Sequence, residues 1–113
     1  MVTFNEREQA FEAKHARDEE VRFLVAARRD KLAAGWLAGK LRLGADARAA
    51  LTASVLAVPD GAGHDGLLLD HLAQEAQRHG GGISRQEIKA ALDACAAQAR
   101  EQLLPPAGAA APA

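Results

Sequence analysis

The sequence predicts an all-α fold, a small four-helix bundle with a long N-terminal helix that protrudes from it. Three observations carry this expectation. The composition is rich in Ala, Leu, Glu, Arg and Gln, which favour helix, while Ile and Thr are scarce and Tyr is absent. A proline-free stretch runs from Asn5 to Lys40. Beyond it, breaks at Leu43-Gly44, Pro59-Asp60-Gly61 and Gly80-Gly81-Gly82 cut the chain into three further pieces before Pro105-Pro106 stops the last.

The first helix is expected over Asn5 to Lys40, with Thr3 as its cap and Glu6 as the reciprocal partner of a capping box. Its two halves differ. From Val21 onward, Val21, Val25, Leu32 and Trp36, with Leu24 beside them, read as a buried stripe. Between Asn5 and Glu20 nine of sixteen positions are Asp, Glu, Lys or Arg, and Phe11 is the only large apolar residue. Pairs such as Lys14–Asp18 and Asp18–Arg22 support such a helix by only about 0.2–0.5 kcal/mol each. Residues 5–20 therefore have no face to bury in their own domain. They are expected to be frayed or free alone and to become a full helix on a partner.

A second helix fits Asp46 to about Val58, with Ala47, Ala50, Leu51, Ser54, Val55 and Val58 inward. A third fits Asp65 to Arg78, with Leu68, Leu69, Leu72 and Ala76 inward. A fourth opens at Ser84, with Glu87 completing another capping box, and buries Ile88, Leu92, Cys95, Ala99 and Leu103. This divides the chain into residues 1–20 as a partner-seeking segment, 21–104 as the bundle and 105–113 as a disordered Ala/Pro tail.

Of 113 residues, 14 are basic and 15 acidic, a formal net charge of −1. That balance argues against a nucleic-acid binder and gives no attraction to anionic membranes. No apolar run approaches the roughly 20 residues needed to span a bilayer, and the charged start of the chain has no signal-peptide core, so a cytoplasmic location is expected. The hydrophobic fraction of 49% is mostly Ala, with three Phe and one Trp, so the core must come from close helix approach. The single cysteine, Cys95, excludes an internal disulfide and reads as a small buried hydrophobe.

Three clusters carry residue types suited to chemistry. His71, Glu75 and His79 share a helical face that resembles a weak metal site, but they read better as solvated surface. Gly80–Gly82 precedes a helix but lacks the Lys-Ser/Thr of a phosphate loop, and reads as a connector. Arg28-Arg29 with Lys31 reads as a solvated basic face. No nucleophile, base and orienting group converge, so no enzyme, metal or cofactor is expected.

The run Phe4-Asn5-Glu6-Arg7-Glu8-Gln9-Ala10-Phe11-Glu12-Ala13-Lys14 resembles the start of the alphaproteobacterial ATP synthase inhibitor subunit zeta family. The likeness continues through Asp18-Glu19-Glu20, Ala27-Arg28-Arg29-Asp30-Lys31-Leu32, Trp36 and Lys40-Leu41, and returns at Ile83-Ser84 and Glu87-Ile88. His15 stands where the family often has an aromatic residue and Arg17 where a histidine is common. Residues 45–82 depart most.

The resemblance implies a four-helix bundle and inhibition of ATP hydrolysis by the catalytic head of the synthase. The N-terminal helix would enter the interface of the alpha, beta and gamma subunits. Carried over, Phe4, Asn5, Arg7, Glu8, Phe11, Lys14, His15, Asp18 and Glu19 would be the inhibitory contacts. It also implies a monomer when free, a place at the cytoplasmic face of the inner membrane when bound, and no insertion into the membrane. Some members of the family bind adenine nucleotide weakly; the resemblance leaves such binding possible here but gives it little weight, because the middle of the chain departs from the pattern.

Physically, Phe4 and Phe11 at i, i+7 can anchor one face in a groove, with Glu8 and His15 on the same line. Two other readings fit the residues alone. One is a protein-interaction adaptor, a divergent paralogue whose N-terminal helix docks elsewhere. The other is a nucleic-acid-binding helical module, suggested by the helix-break-helix at Gly80–Gly82 and the arginine content.

Overall fold

The computed structural model describes residues 3–104; the expected Ala/Pro tail at 105–113 lies outside them, as do the side chains of Phe4 and Phe11. Four helices follow one another, α1 (Phe4–Lys40), α2 (Ala45–Leu56), α3 (His64–Arg78) and α4 (Arg85–Leu103), and among the described residues there is no strand. The expected all-α bundle is thus observed.

The caps explain where the helices begin. Thr3 N–H donates to Glu6 Oε2 at 3.0 Å, and Glu6 N–H donates to Thr3 Oγ1 at 3.2 Å, so the predicted capping box of α1 is complete. Ser84 Oγ accepts the Glu87 N–H at 3.1 Å, satisfying one free amide at the start of α4. The helix ends use a different device. After α3, Gly80 at φ 67 lets Gly81 N–H reach Ala76 O and Gly80 N–H reach Gln77 O, both at 3.0 Å, the paired bonds of a Schellman motif.

The same motif ends α1, where Leu43 N–H donates to Ala38 O at 3.0 Å and Arg42 N–H to Gly39 O at 3.2 Å. Here the left-handed residue is Arg42, at φ 55, and not the neighbouring Gly44, which has φ −72 and precedes α2. The Leu43-Gly44 stop signal marked the right place, but the glycine does not make the turn. Leu43 makes it worthwhile, because its half-buried side chain packs against the core.

α1 is the central element. It packs most extensively on α4, then on α2, and α3 closes the bundle against α4 and α2. The core of α1 is Ala33, Ala34, Leu37 and Ala38. Three alanines at the seam let two helices approach one side of α1 closely. This corrects the expected stripe. Val21, Val25, Leu32 and Trp36 are only half-buried, and Leu24 is 47% exposed. The large residues mark the flank of the helix, and the small ones its centre, because close packing selects for small side chains.

The partners bring Leu51 and Val55 from α2, Leu68, Leu72 and Ala76 from α3, and Ile88, Leu92, Cys95 and Ala99 from α4. Leu69, Ser54, Val58 and Leu103 are half-buried, while Ala47 and Ala50, expected inside, face solvent. α2 is short and touches the bundle along a single narrow line, so the flanking alanines are left out.

The N-terminal half of α1 leaves this core. At 37 residues it extends about 55 Å at 1.5 Å per residue. The molecule measures 64 × 37 × 26 Å, with a radius of gyration of 18.1 Å, against about 13 Å for a compact chain of this size. The long axis is therefore set by the protruding helix. Among the described residues no helix is long and apolar enough to cross a membrane.

Candidate functional site

The sequence confined its candidate contacts to residues 4–19, all within α1. Asn5, Arg7, Glu8, Lys14, His15, Asp18 and Glu19 are all exposed. At about 100° per residue their positions fall within one half of the helix circumference. The opposite half presents Ala10, Ala13 and Ala16 with Gln9, Glu6, Glu20 and Arg17. The structure thus keeps the seven together as one side of a rod about 20 Å long. Phe4 and Phe11, the expected anchors, have side chains outside the described ones.

The local ion pairing differs from the expected one. Arg22 pairs with Glu19 at 3.1 Å, one residue nearer than the expected Asp18. Both partners are more than half exposed, so this pair adds little stability. Residues 5–20 carry six Asp or Glu against three Lys or Arg, a net −3. The whole chain is −1, so the remainder carries +2. The exposed segment is therefore an acid-rich rod on a mildly basic body.

Where α1 enters the bundle, a polar network appears that the sequence reading did not single out. Asp30 is 5% exposed, the buried charged residue among those described. His64 at the start of α3 donates from Nε2 to Asp30 Oδ2 and from Nδ1 to Pro59 O, each at 2.7 Å. Arg29 donates from Nε to Asp30 Oδ1 at 2.9 Å and from Nη2 to Asp65 Oδ1 at 2.8 Å. A carbonyl oxygen only accepts, so Nδ1 must carry a proton. An ionised Asp30 only accepts as well, so Nε2 carries the other.

The geometry thus holds His64 as imidazolium. Burial opposes that charge, but the Pro59 and Asp30 hydrogen bonds and the Asp30 charge outweigh it, even against nearby Arg29, and raise its pKa above the ordinary 6.5. Arg29 lowers the pKa of Asp65 through their hydrogen bond. The one available signal was Asp30 itself, an acid in helical phase with Ala33, Ala34 and Leu37. The larger residues Val21, Val25, Leu32 and Trp36 obscure that phase, because they lie on the flank of the helix.

The network floors a groove of about 320 Å³, lined by Phe23, Ala26 and Ala27 of α1, Leu56 of α2, and the turn and helix start at Asp60, Gly61, His64 and Asp65.

The other clusters resolve as follows. His71 Nε2 lies 2.9 Å from Ser54 Oγ and His79 Nε2 lies 3.8 Å from Glu75 Oε2, so the face reads as helix-to-helix and local pairing. Among the described residues no group of His, Cys, Asp and Glu is arranged to hold a metal ion. Gly80–Gly82 serves as the α3 stop described above. The basic cluster departs from the solvated face expected of it. Arg29 belongs to the Asp30 network, and Arg28, though exposed, reaches across to Gln102 Oε1 at 3.1 Å, so only the exposed Lys31 makes no such contact among the described residues. Cys95 is buried, and burial pushes its thiol pKa up, as suits a packing residue.

A family model described as ATPase inhibitor subunit zeta matches residues 1–102. No curated protein and no solved structure matches the chain.

Proposed function

Because the chain belongs to the ATPase inhibitor subunit zeta family, we propose that it blocks ATP hydrolysis by inserting the N-terminal half of α1 into the catalytic head of a rotary ATP synthase. The observation that carries this reading is the free half of α1, a capped helix whose described side chains from Asn5 to Glu20 are all exposed. The half-circumference bearing Arg7, Glu8, Lys14, His15, Asp18 and Glu19 would meet the alpha, beta and gamma subunits, with Phe4 and Phe11 as apolar anchors.

Obstruction of a rotor needs no catalytic group and no cofactor. It needs a rod that is too polar to fold back onto its own bundle and long enough to enter a cleft. Charges along the rod set register and discriminate against wrong partners more than they add affinity. The bound protein would sit at the cytoplasmic face of the inner membrane, held there by the synthase.

The test is ATP hydrolysis by the purified cognate catalytic head, with the full chain and with a chain lacking residues 1–19. Stoichiometric inhibition by the full chain, lost on truncation, is the expected result. Equal hydrolysis rates in the two cases would sink the proposal.

A further inference from the structure

The surface carries a second feature that α1 insertion does not use. Phe23 and Leu56 are large apolar side chains, 58% and 53% exposed, and both line the groove where α1 leaves the bundle. The polar residues of the same groove are Asp30, Asp60, His64 and Asp65, with no Lys or Arg among its lining. The charge of His64 is already committed to Asp30. Asp65 is paired with Arg29 through one oxygen, but its side chain is 78% exposed. Asp60 is exposed and makes no ion pair among the described residues. The groove is thus an acidic, apolar-rimmed notch on a body that outside residues 5–20 is net positive.

Its position is continuous with the proposed inserting segment. Phe23 follows Glu20 by less than one helical turn. The segment is net −3 and the groove has the same sign, so one basic partner surface would complement both. An Arg or Lys side chain fits the notch in both respects. Its apolar stem would lie over Leu56 and the ring of Phe23, and its cationic head would reach Asp60 and Asp65.

We propose that the Phe23–Leu56 groove is a second docking surface, which seats a basic side chain from the same catalytic head and fixes how deep α1 can enter. This rests on the reading of the chain as a synthase inhibitor, so the experiment separates the two. Binding of the full chain to the purified head is measured directly, beside inhibition of hydrolysis, for the wild type, the double variant Phe23→Ser/Leu56→Ser, Asp60→Lys, and Leu67→Ser. Leu67 is 50% exposed but does not line the groove, so its variant controls for a general loss of apolar surface.

The double variant should weaken binding about tenfold. Asp60→Lys should weaken it about fivefold at low salt and less at high salt. Leu67→Ser should leave it unchanged. Melting curves should match the wild type throughout, because these side chains lie outside the core. Wild-type affinity in the double variant overturns the groove while leaving the inhibitor reading intact. Binding without inhibition, still sensitive to the groove variants, supports the groove and overturns the inhibitor reading. No binding by the wild type overturns both. A wild-type dimer in sedimentation that the double variant dissolves assigns the groove to a second copy of the chain and overturns the proposal.

Discussion

His64 has an obligate acceptor on each side of its ring, so its proton count is tied to whether the α2–α3 turn rests on α1. The folded pKa is raised, so the folded protein binds this proton more tightly than the unfolded chain does. The stabilisation is complete below about 6.5, the unfolded value, and is lost as pH rises through the folded value. Melting temperature should therefore fall as pH rises above about 6.5. His64→Ala should cost about 1–3 kcal/mol at the acid end of this window and flatten the slope. Thermal melts across pH for the two proteins check both points. An identical slope in His64→Ala would assign the pH dependence to other groups. None of this was legible in the sequence, because Asp30 and His64 are 34 positions apart and only the packing of α3 on α1 joins them. Cys95, by contrast, was legible, since its role depends only on the phase of its own helix.

The elements follow from short-range rules, and that is why their sequence signals were readable. Thr3 and Glu6 specify the start of α1 within four residues of chain, and Ser84 does the same for α4. The end of α1 shows where such rules fail. A glycine stood within two residues of the turn, yet Arg42 took the left-handed position, at a conformational cost of about 1 kcal/mol. The gain is Leu43, which reaches the core because the turn comes where it does. Arg42→Gly removes the strain and keeps the geometry, so it should stabilise the protein by about 0.5–1 kcal/mol despite the greater freedom of glycine in the unfolded chain. Urea titration of the variant, with an unchanged m-value, is the check. The inward face of α1 differs from the expected stripe for a related reason. Its centre is set by how closely α2 and α4 approach, and a run of alanines gives no size contrast from which to read that.

At the scale of the molecule, the core and the proposed inserting segment sit on separate stretches of chain. Among the described residues every core side chain follows position 29, and the described side chains of residues 5–20 touch solvent. Removal of residues 1–20 should therefore shift the melting temperature by no more than about 3 °C. Calorimetry of the truncated chain measures this, and a fall of many degrees would mean that the segment folds back on the bundle. The free segment was legible because charge density alone excludes burial. The groove beside it was not, since it is assembled from three helices.

α1 is one uninterrupted helix from Phe4 to Lys40. A detached peptide of residues 4–20 would have to nucleate its own first turn on binding, a statistical weight of about 10⁻³, or roughly 4 kcal/mol. In the intact chain that turn already exists, held by Ala33, Ala34, Leu37 and Ala38 in the core. Extending a helix from a fixed seed requires only propagation, which is nearly thermoneutral per residue in good helix formers. The bundle is thus a covalently attached helix template. The same seventeen residues would bind as a low-entropy rod when joined to it, and through a costly coil-to-helix transition when cut away.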